Sequence, residues 1–203
     1  MLNKTIIDPD SIDSISSMRD ILFPEIKLAI KQGRSIIVLC IGTDRSTGDS
    51  LGPLVGDKLK FLVRDKICLY GNLEFPVHAK NINDIITSIN KAYYNPFIIA
   101  VDACLGSIQN VGKIIIESKP LHPGSAMDKD LPSVGDISIT GVVNIAGSME
   151  FMVLQNTRLF TVMHLAESIS KGIYHCILKS LGGRRTSLKY SKESSDSIQN
   201  INF

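Results

Sequence analysis

A chain of 203 residues that is 44% hydrophobic can bury one substantial core, and its length argues against two domains. The 22 Lys and Arg stand against 20 Asp and Glu for a formal net charge of +2, which lacks the basic excess of a dedicated nucleic-acid binder. Cys40, Cys68, Cys104 and Cys176 are far apart and form no Cys-x-x-Cys or Cys/His zinc spacing, so buried thiols in a reducing, cytoplasmic compartment are expected.

The first ten residues lack the apolar stretch of a signal peptide. No apolar run approaches the roughly 20 residues of a membrane span, so a soluble protein with no membrane partner is expected. Asp10 or Ser11 can cap a helix reaching about Gln32, with Ile12, Ile15, Met18, Leu22, Ile26 and Leu28 near helical spacing. Pro24 predicts either a kink or two shorter helices, and Gly33 supplies the stop. Ile36 to Ile41 is apolar without alternation, the pattern of a strand covered on both faces. A polar loop follows, then a helix from Leu51 to about Val63 that buries Leu51, Leu54, Val55, Leu59 and Leu62, with Pro53 tolerated in its first turn.

Ile67 to Tyr70 predicts the next strand, with 74–78 a further extended stretch, and Asn81 or Asn83 starts a helix over 82–92. Pro96 to Val101 reads as a second buried strand, ending in the carboxylate of Asp102. Val111 to Glu117 and Val134 to Val143 read as later strands, joined by the long Pro/Gly-rich passage from Lys119 to Pro132, which carries His122, Asp128 and Asp130. Passages of that length in a compact domain are flexible or functional, so this one is a candidate wall of a cleft. Thr157 to Leu181 has the apolar spacing of an amphipathic helix, and Gly182-Gly183 ends it. The organisation is thus a helical segment (1–33) packed on an α/β domain (34–182), with a polar tail (183–203). Strands alternating with helices predict right-handed βαβ units and a mostly parallel sheet.

The chemistry concentrates where the first buried strand ends. Between Gly42 and Pro53 stand Asp44, Arg45, Asp49, hydroxyls and glycines, at the carboxyl end where open parallel sheets collect ligands. Gly48-Asp49-Ser50-Leu51 spells the signature of the GDSL serine hydrolases, yet none of His78, His122, His164 and His175 follows an aspartate by three residues, as their histidine base requires. The loop also lacks the Gly-Lys-Ser/Thr of a P-loop, and Gly42 to Gly48 does not fit Gly-x-Gly-x-x-Gly. What remains is a pair of carboxylates, Asp49 and Asp102, each at the end of an apolar strand. Held close, two such groups either divide one proton between them or share a cation, and either arrangement activates water. The plain alternative is that Asp49 caps a helix and Asp102 caps a turn.

The stretches 40–53, 101–106, 131–136 and 140–144 resemble the YyaC-type sporulation proteins of spore-forming bacteria, and the resemblance runs from about Ser35 to Leu181. More remotely, Asp49-Ser50-Leu51-Gly52-Pro53 resembles the catalytic Asp-Ala-Leu-Gly-Pro stretch of the spore germination protease, and Asp102-Ala103 resembles the start of its second acidic stretch. The hydrogenase maturation endopeptidases place an acidic pair at equivalent points. The resemblance implies a three-layer α/β/α sandwich, phosphorylase/hydrolase-like in its arrangement, and a peptidase activity in the cytoplasm of the sporulating cell or spore. It implies Asp49 and Asp102 as catalytic residues and a substrate-shaping loop of Thr43, Asp44, Arg45, Ser46, Thr47 and Ser50. The hydrogenase endopeptidases add a metal-binding histidine, so a divalent metal on Asp49 and Asp102 is an open cofactor, with His122 the stand-in third ligand. The implied partner is a protein or peptide, small acid-soluble spore proteins included, and a homo-oligomer stays open. The rival reading is a non-catalytic sporulation module that keeps the fold for binding.

Overall fold

The apolar runs are strands of one six-stranded sheet. The computed structural model describes residues 4–62, 66–123 and 133–182. In chain order the elements are β1 (Thr5–Ile7), α1 (Ser14–Lys31), β2 (Ile36–Cys40), a 3-10 turn (Gly48–Ser50), α2 (Leu51–Leu59), β3 (Ile67–Tyr70), α3 (Ile82–Ala92), β4 (Phe97–Gly106), a 3-10 turn (Ile108–Asn110), β5 (Ile114–Glu117), β6 (Ile137–Ile145), α4 (Glu150–Gln155) and α5 (Leu159–Leu181). The strand order is β1-β5-β6-β4-β2-β3. The four strands from β6 to β3 run parallel, and β5 and β1 close the other side through antiparallel pairings.

The period of two along each strand divides the core. Ile36, Val38 and Cys40 of β2, with Phe97, Ile99 and Val101 of β4, face the layer of α1, α2 and α5. Ile37, Leu39, Ile98 and Ala100 face α3, which contributes Ile82 and Ile89, together with Val77. Because β2 and β4 are covered on both sides, their sequences show no polar alternation. Each fully buried Ile, Leu or Val contributes roughly 1.5–3 kcal/mol. The result is the three-layer α/β/α sandwich with a mostly parallel sheet that the sequence pointed to. Helix α1 is part of it, since its Met18, Leu22, Ile26 and Ala29 lie in the same core as α5.

Several elements differ from their sequence-based expectation. Of the two alternatives at Pro24, the split into two shorter helices does not occur, since α1 is continuous from Ser14 to Lys31. The proline is on the exposed side, where water can satisfy the carbonyl that loses its partner. Helix α2 ends at Leu59, and Val63 lies outside the described residues. Only Val77 of the 74–78 stretch pairs in the sheet, with Ile41. Strand β4 runs four residues past Asp102. The short β1 and α4 had no sequence signal. Residues 124–132, with Asp128 and Asp130, and the tail 183–203 lie outside the described residues.

The amino edge of the sheet is tied by a clamp. The Asp136 carboxylate accepts one bond from the Arg34 guanidinium at 2.7 Å and one from the Ile98 backbone N–H at 2.8 Å, and Arg34 also donates to the carbonyls of Asn95 and Pro96. The starts of β2, β4 and β6 are thereby joined. Asp136→Ala leaves a half-buried guanidinium and an amide without their acceptor, so a loss of about 1–3 kcal/mol is expected in urea unfolding. A midpoint equal to wild type would show that the clamp contributes nothing.

Candidate functional site

The site is built by a chain reversal beyond β2. Ile41 N–H donates to the Val101 carbonyl at 2.7 Å, Gly42 N–H to the Val77 carbonyl at 2.7 Å, and Thr43 N–H to the Asp49 carbonyl at 3.1 Å. Gly42 has φ +140°, and a Cβ there would collide with the Asp49 carbonyl oxygen. A Cβ on Gly52 would collide with the Ile41 carbonyl oxygen. These two glycines let the first turn of α2 press on the end of β2, which places the turn carrying Asp49 against the sheet edge. Gly48 fits under Leu154 of α4 in the same way, where an added Cβ would stand 2.7 Å from the leucine Cδ2. Asn144, at the end of β6, holds α4 from the other side through bonds to the Val153 carbonyl and the Thr157 hydroxyl.

Asp102 reaches the same edge by register. Cys40 is opposite Val101 in the parallel ladder, so the next residue of β4 stands beside Ile41. On its other side Asp102 is opposite Thr140 of β6. The connection through α2 takes the chain from β2 to β3 on one side, and β4 then pairs on the other side of β2, with α2 and α3 on opposite faces. The gap between the ends of β2 and β4 is therefore a topological switch point, where open α/β sheets form a crevice. Both aspartates stand at it.

Their electrostatics agree with that placement. Burial pushes the Asp102 carboxyl up from the ordinary 3.8 to about 8, the Ala103 N–H bond pulls it partly back, and the Asp49 charge pushes it up further. Burial also raises Asp49. Neither acid serves as the cap that a plain reading would assign. Asp102 lies within β4, and no side-chain cap bond is made at the starts of the 3-10 turn or of α2.

The loop residues divide. Asp44 and Arg45 are exposed, and Thr43 and Thr47 are half-buried, with the Thr43 hydroxyl accepting the Arg45 N–H. Ser46 is buried, and its hydroxyl has no hydrogen-bond partner among the described residues. Ser50 is buried too, and its hydroxyl donates to the Thr47 carbonyl at 2.7 Å, which leaves the GDSL serine engaged with backbone rather than with a histidine.

His122 does not join the pair. It follows Leu121, whose backbone pairs with Val134 ahead of β6, and so stands at the amino edge of the sheet, opposite the crevice. The antiparallel β5 carries the chain there. The histidine that the register does place at the carboxyl edge is His78, directly after Val77, and sequence spacing gave no sign of it. Its Nδ1 accepts the Lys80 N–H at 3.3 Å. Among the described residues no group of three His, Cys, Asp or Glu side chains is arranged to hold a metal ion. Among the described residues the expected ligand set of Asp49, Asp102 and His122 is not brought together. Two open hollows of about 490 and 470 Å³, sharing Arg34, Gly135 and Asp136, also lie at the amino edge, away from the acid pair.

Residues 8–172 match the family described as Protein of unknown function (DUF1256). The chain belongs to the DUF1256 family. It is 55% identical over 141 residues to a Bacillus subtilis (strain 168) relative described as "Uncharacterized protein YyaC", covering 70% of this chain and 69% of that protein. Among solved structures, this DUF1256 chain is similar to a [NiFe] hydrogenase maturation protease HycI from Thermococcus kodakarensis KOD1, at 19% identity and TM-score 0.49 over 76% of this chain and 99% of that one. It is also similar to a hydrogenase 3 maturation protease, at 14% identity and TM-score 0.40 over 68% and 88%. No helix among the described residues is long and apolar enough to cross a membrane.

The raised Asp102 carboxyl makes stability depend on pH. Its native value of about 8 exceeds the ordinary 3.8, so between those limits the folded chain keeps a proton that the unfolded chain has released. The stabilisation is full below about pH 4 and is lost as pH rises through 8. Asp102→Asn keeps the acceptor for Ala103 N–H and removes the titration. Its melting temperature should exceed wild type by several degrees at pH 8 and approach it at pH 4, as read by circular dichroism. Parallel profiles for the two proteins would contradict the shift.

Proposed function

We propose that this DUF1256 chain is a peptidase of the sporulating cell or spore that hydrolyses a peptide bond with Asp49 and Asp102. The observation that carries the reading is the convergence of the two carboxyls at the switch point, where burial raises both and, with a smaller push from the Asp49 charge, takes Asp102 to about 8, so that Asp102 holds a proton at neutral pH. The sequence resemblance to the germination protease, at Asp49 to Pro53 and at Asp102-Ala103, supports the same pair.

The chemistry follows from unequal protonation. The ionised carboxylate takes a proton from a water molecule as its oxygen bonds to the peptide carbonyl carbon. The protonated partner, Asp102 in the resting site, donates to the carbonyl oxygen as negative charge develops there. Collapse of the tetrahedral species breaks the C–N bond, the proton gained by the base passes to the leaving amine, and a hydroxyl proton of the tetrahedral carbon returns to Asp102 as the carboxyl product forms. Water is consumed and no redox partner is needed. No step runs through a metal. Asp44 and Arg45 are exposed, so their charges are open to a bound polypeptide in this reading.

The test is cleavage of small acid-soluble spore proteins, followed by mass spectrometry of the products. Asp49→Asn and Asp102→Asn should each lower the rate by about 10²–10⁴ while leaving the fold intact, since an amide keeps the shape but cannot exchange the proton. The rate should fall on the alkaline side above about pH 8, as the protonated partner is lost, and on the acid side as the base is neutralised. Tight stoichiometric binding without cleavage at any pH, with or without added divalent metal, would replace the peptidase by the non-catalytic binding module.

A further inference from the structure

More than half of the large apolar side chains that are exposed among the described residues belong to segments at one edge of the sheet. Met149, Phe151 and Met152 lie at and in α4, and Leu159, Phe160 and Met163 lie in the first turns of α5. Ile108 and Ile145, just beyond β4 and at the end of β6, stand at the same edge. Met149 is 72% exposed and Phe160 65%. Single exposed apolar residues are ordinary, but a concentration within 15 residues of chain marks a binding surface. Leu154 of α4 faces the other way, into the core and against Gly48.

We propose that this surface seats the polypeptide substrate, and that it selects an apolar segment bearing a carboxylate. The inference rests on the peptidase reading above and supplies its substrate class. Continuity with the acid pair identifies the occupant. α4 packs on the 3-10 turn that contains Asp49 and is latched by Asn144 to the end of β6, next to the strand of Asp102. A chain seated on the apolar surface therefore has neighbouring residues at the crevice. Charge supplies the second criterion. Arg158, between α4 and α5, stacks over the Phe160 ring at 5.2 Å and makes no ion pair among the described residues. An unpaired guanidinium at the margin of an apolar patch fits a carboxylate of the incoming chain. Three methionines give the surface the adaptability to take side chains of differing shape.

The test uses two labelled amphipathic peptides, one built of leucine and glutamate and the other of leucine and lysine, titrated with the full chain by fluorescence anisotropy. The leucine–glutamate peptide should bind the tighter of the two, and Asp49→Asn/Asp102→Asn should bind it with wild-type affinity. Phe151→Ser/Phe160→Ser should weaken it at least tenfold, and Arg158→Glu should reverse the preference between the peptides. Circular dichroism checks that each variant melts as wild type does, and Met152→Lys replaces any that does not. Unchanged affinity in the surface variants, or no binding to wild type, overturns the proposal. So does a wild-type dimer in ultracentrifugation that Phe151→Ser/Phe160→Ser splits, since the surface would then join two copies of this chain. Binding as described without cleavage of any polypeptide overturns the peptidase reading and leaves the docking surface standing. Cleavage of a protein that Phe151→Ser/Phe160→Ser leaves at the wild-type rate overturns the docking surface alone.

Discussion

Two half-buried carboxyls of like charge beside one another are costly to ionise together, and much of the local structure serves to hold them there. Burial raises the proton affinity of both groups, and the Asp49 charge adds a smaller push to Asp102, which reaches about 8. A site arranged for stability alone would pair each acid with a cation, as the amino edge pairs Asp136 with Arg34. At the carboxyl edge, among the described residues, Asp102 receives the N–H of Ala103 and no cation. The two edges of one sheet thus treat an aspartate in opposite ways, ion-paired at one and buried with a raised proton affinity at the other.

Holding the pair requires close approach of backbone to backbone. Gly42 and Gly52 admit the start of α2 to the end of β2, and Gly48 admits α4 over the turn. Behind them the switch in strand order opens the crevice between β2 and β4, and the parallel ladder places Asp102 level with Ile41. Apolar burial on both faces keeps β2 and β4 rigid, so a pair mounted at their ends is positioned by the core itself. α4 has two sides, since its buried Leu154 lies against Gly48 of the Asp49 turn while its Phe151 and Met152 are exposed.

Much of this was legible in the sequence because the signals were strong and local. The unbroken apolar runs at Ile36 and Phe97 marked strands covered on both sides, and the βαβ order implied that their carboxyl ends share an edge. Other features depended on tertiary context. Pro24 in α1 is harmless because that side of the helix faces water, a fact that composition does not carry. β1 has three residues and takes its place by pairing with β5 and burying Ile7 in the core. His122 was misplaced because the antiparallel turn of β5 sends the following loop to the amino edge, and spacing along the chain does not reveal strand direction. His78 was missed for the converse reason, since a single bridge from Val77 to Ile41 brings it to the carboxyl edge. The exposed surface of α4 and α5 was invisible because the same apolar spacing describes a buried stripe.

The central claim is that Asp49 and Asp102 share one crevice and titrate as a coupled pair. Carbon-13 labelling of the aspartate carboxyls, with NMR titration of the wild-type chain and of Asp49→Asn, measures this directly. The account predicts an Asp102 carboxyl that titrates near pH 8 in wild type and moves to lower pH when the Asp49 charge is removed. An Asp102 resonance that titrates near the ordinary 3.8, or one that Asp49→Asn leaves unmoved, would contradict it.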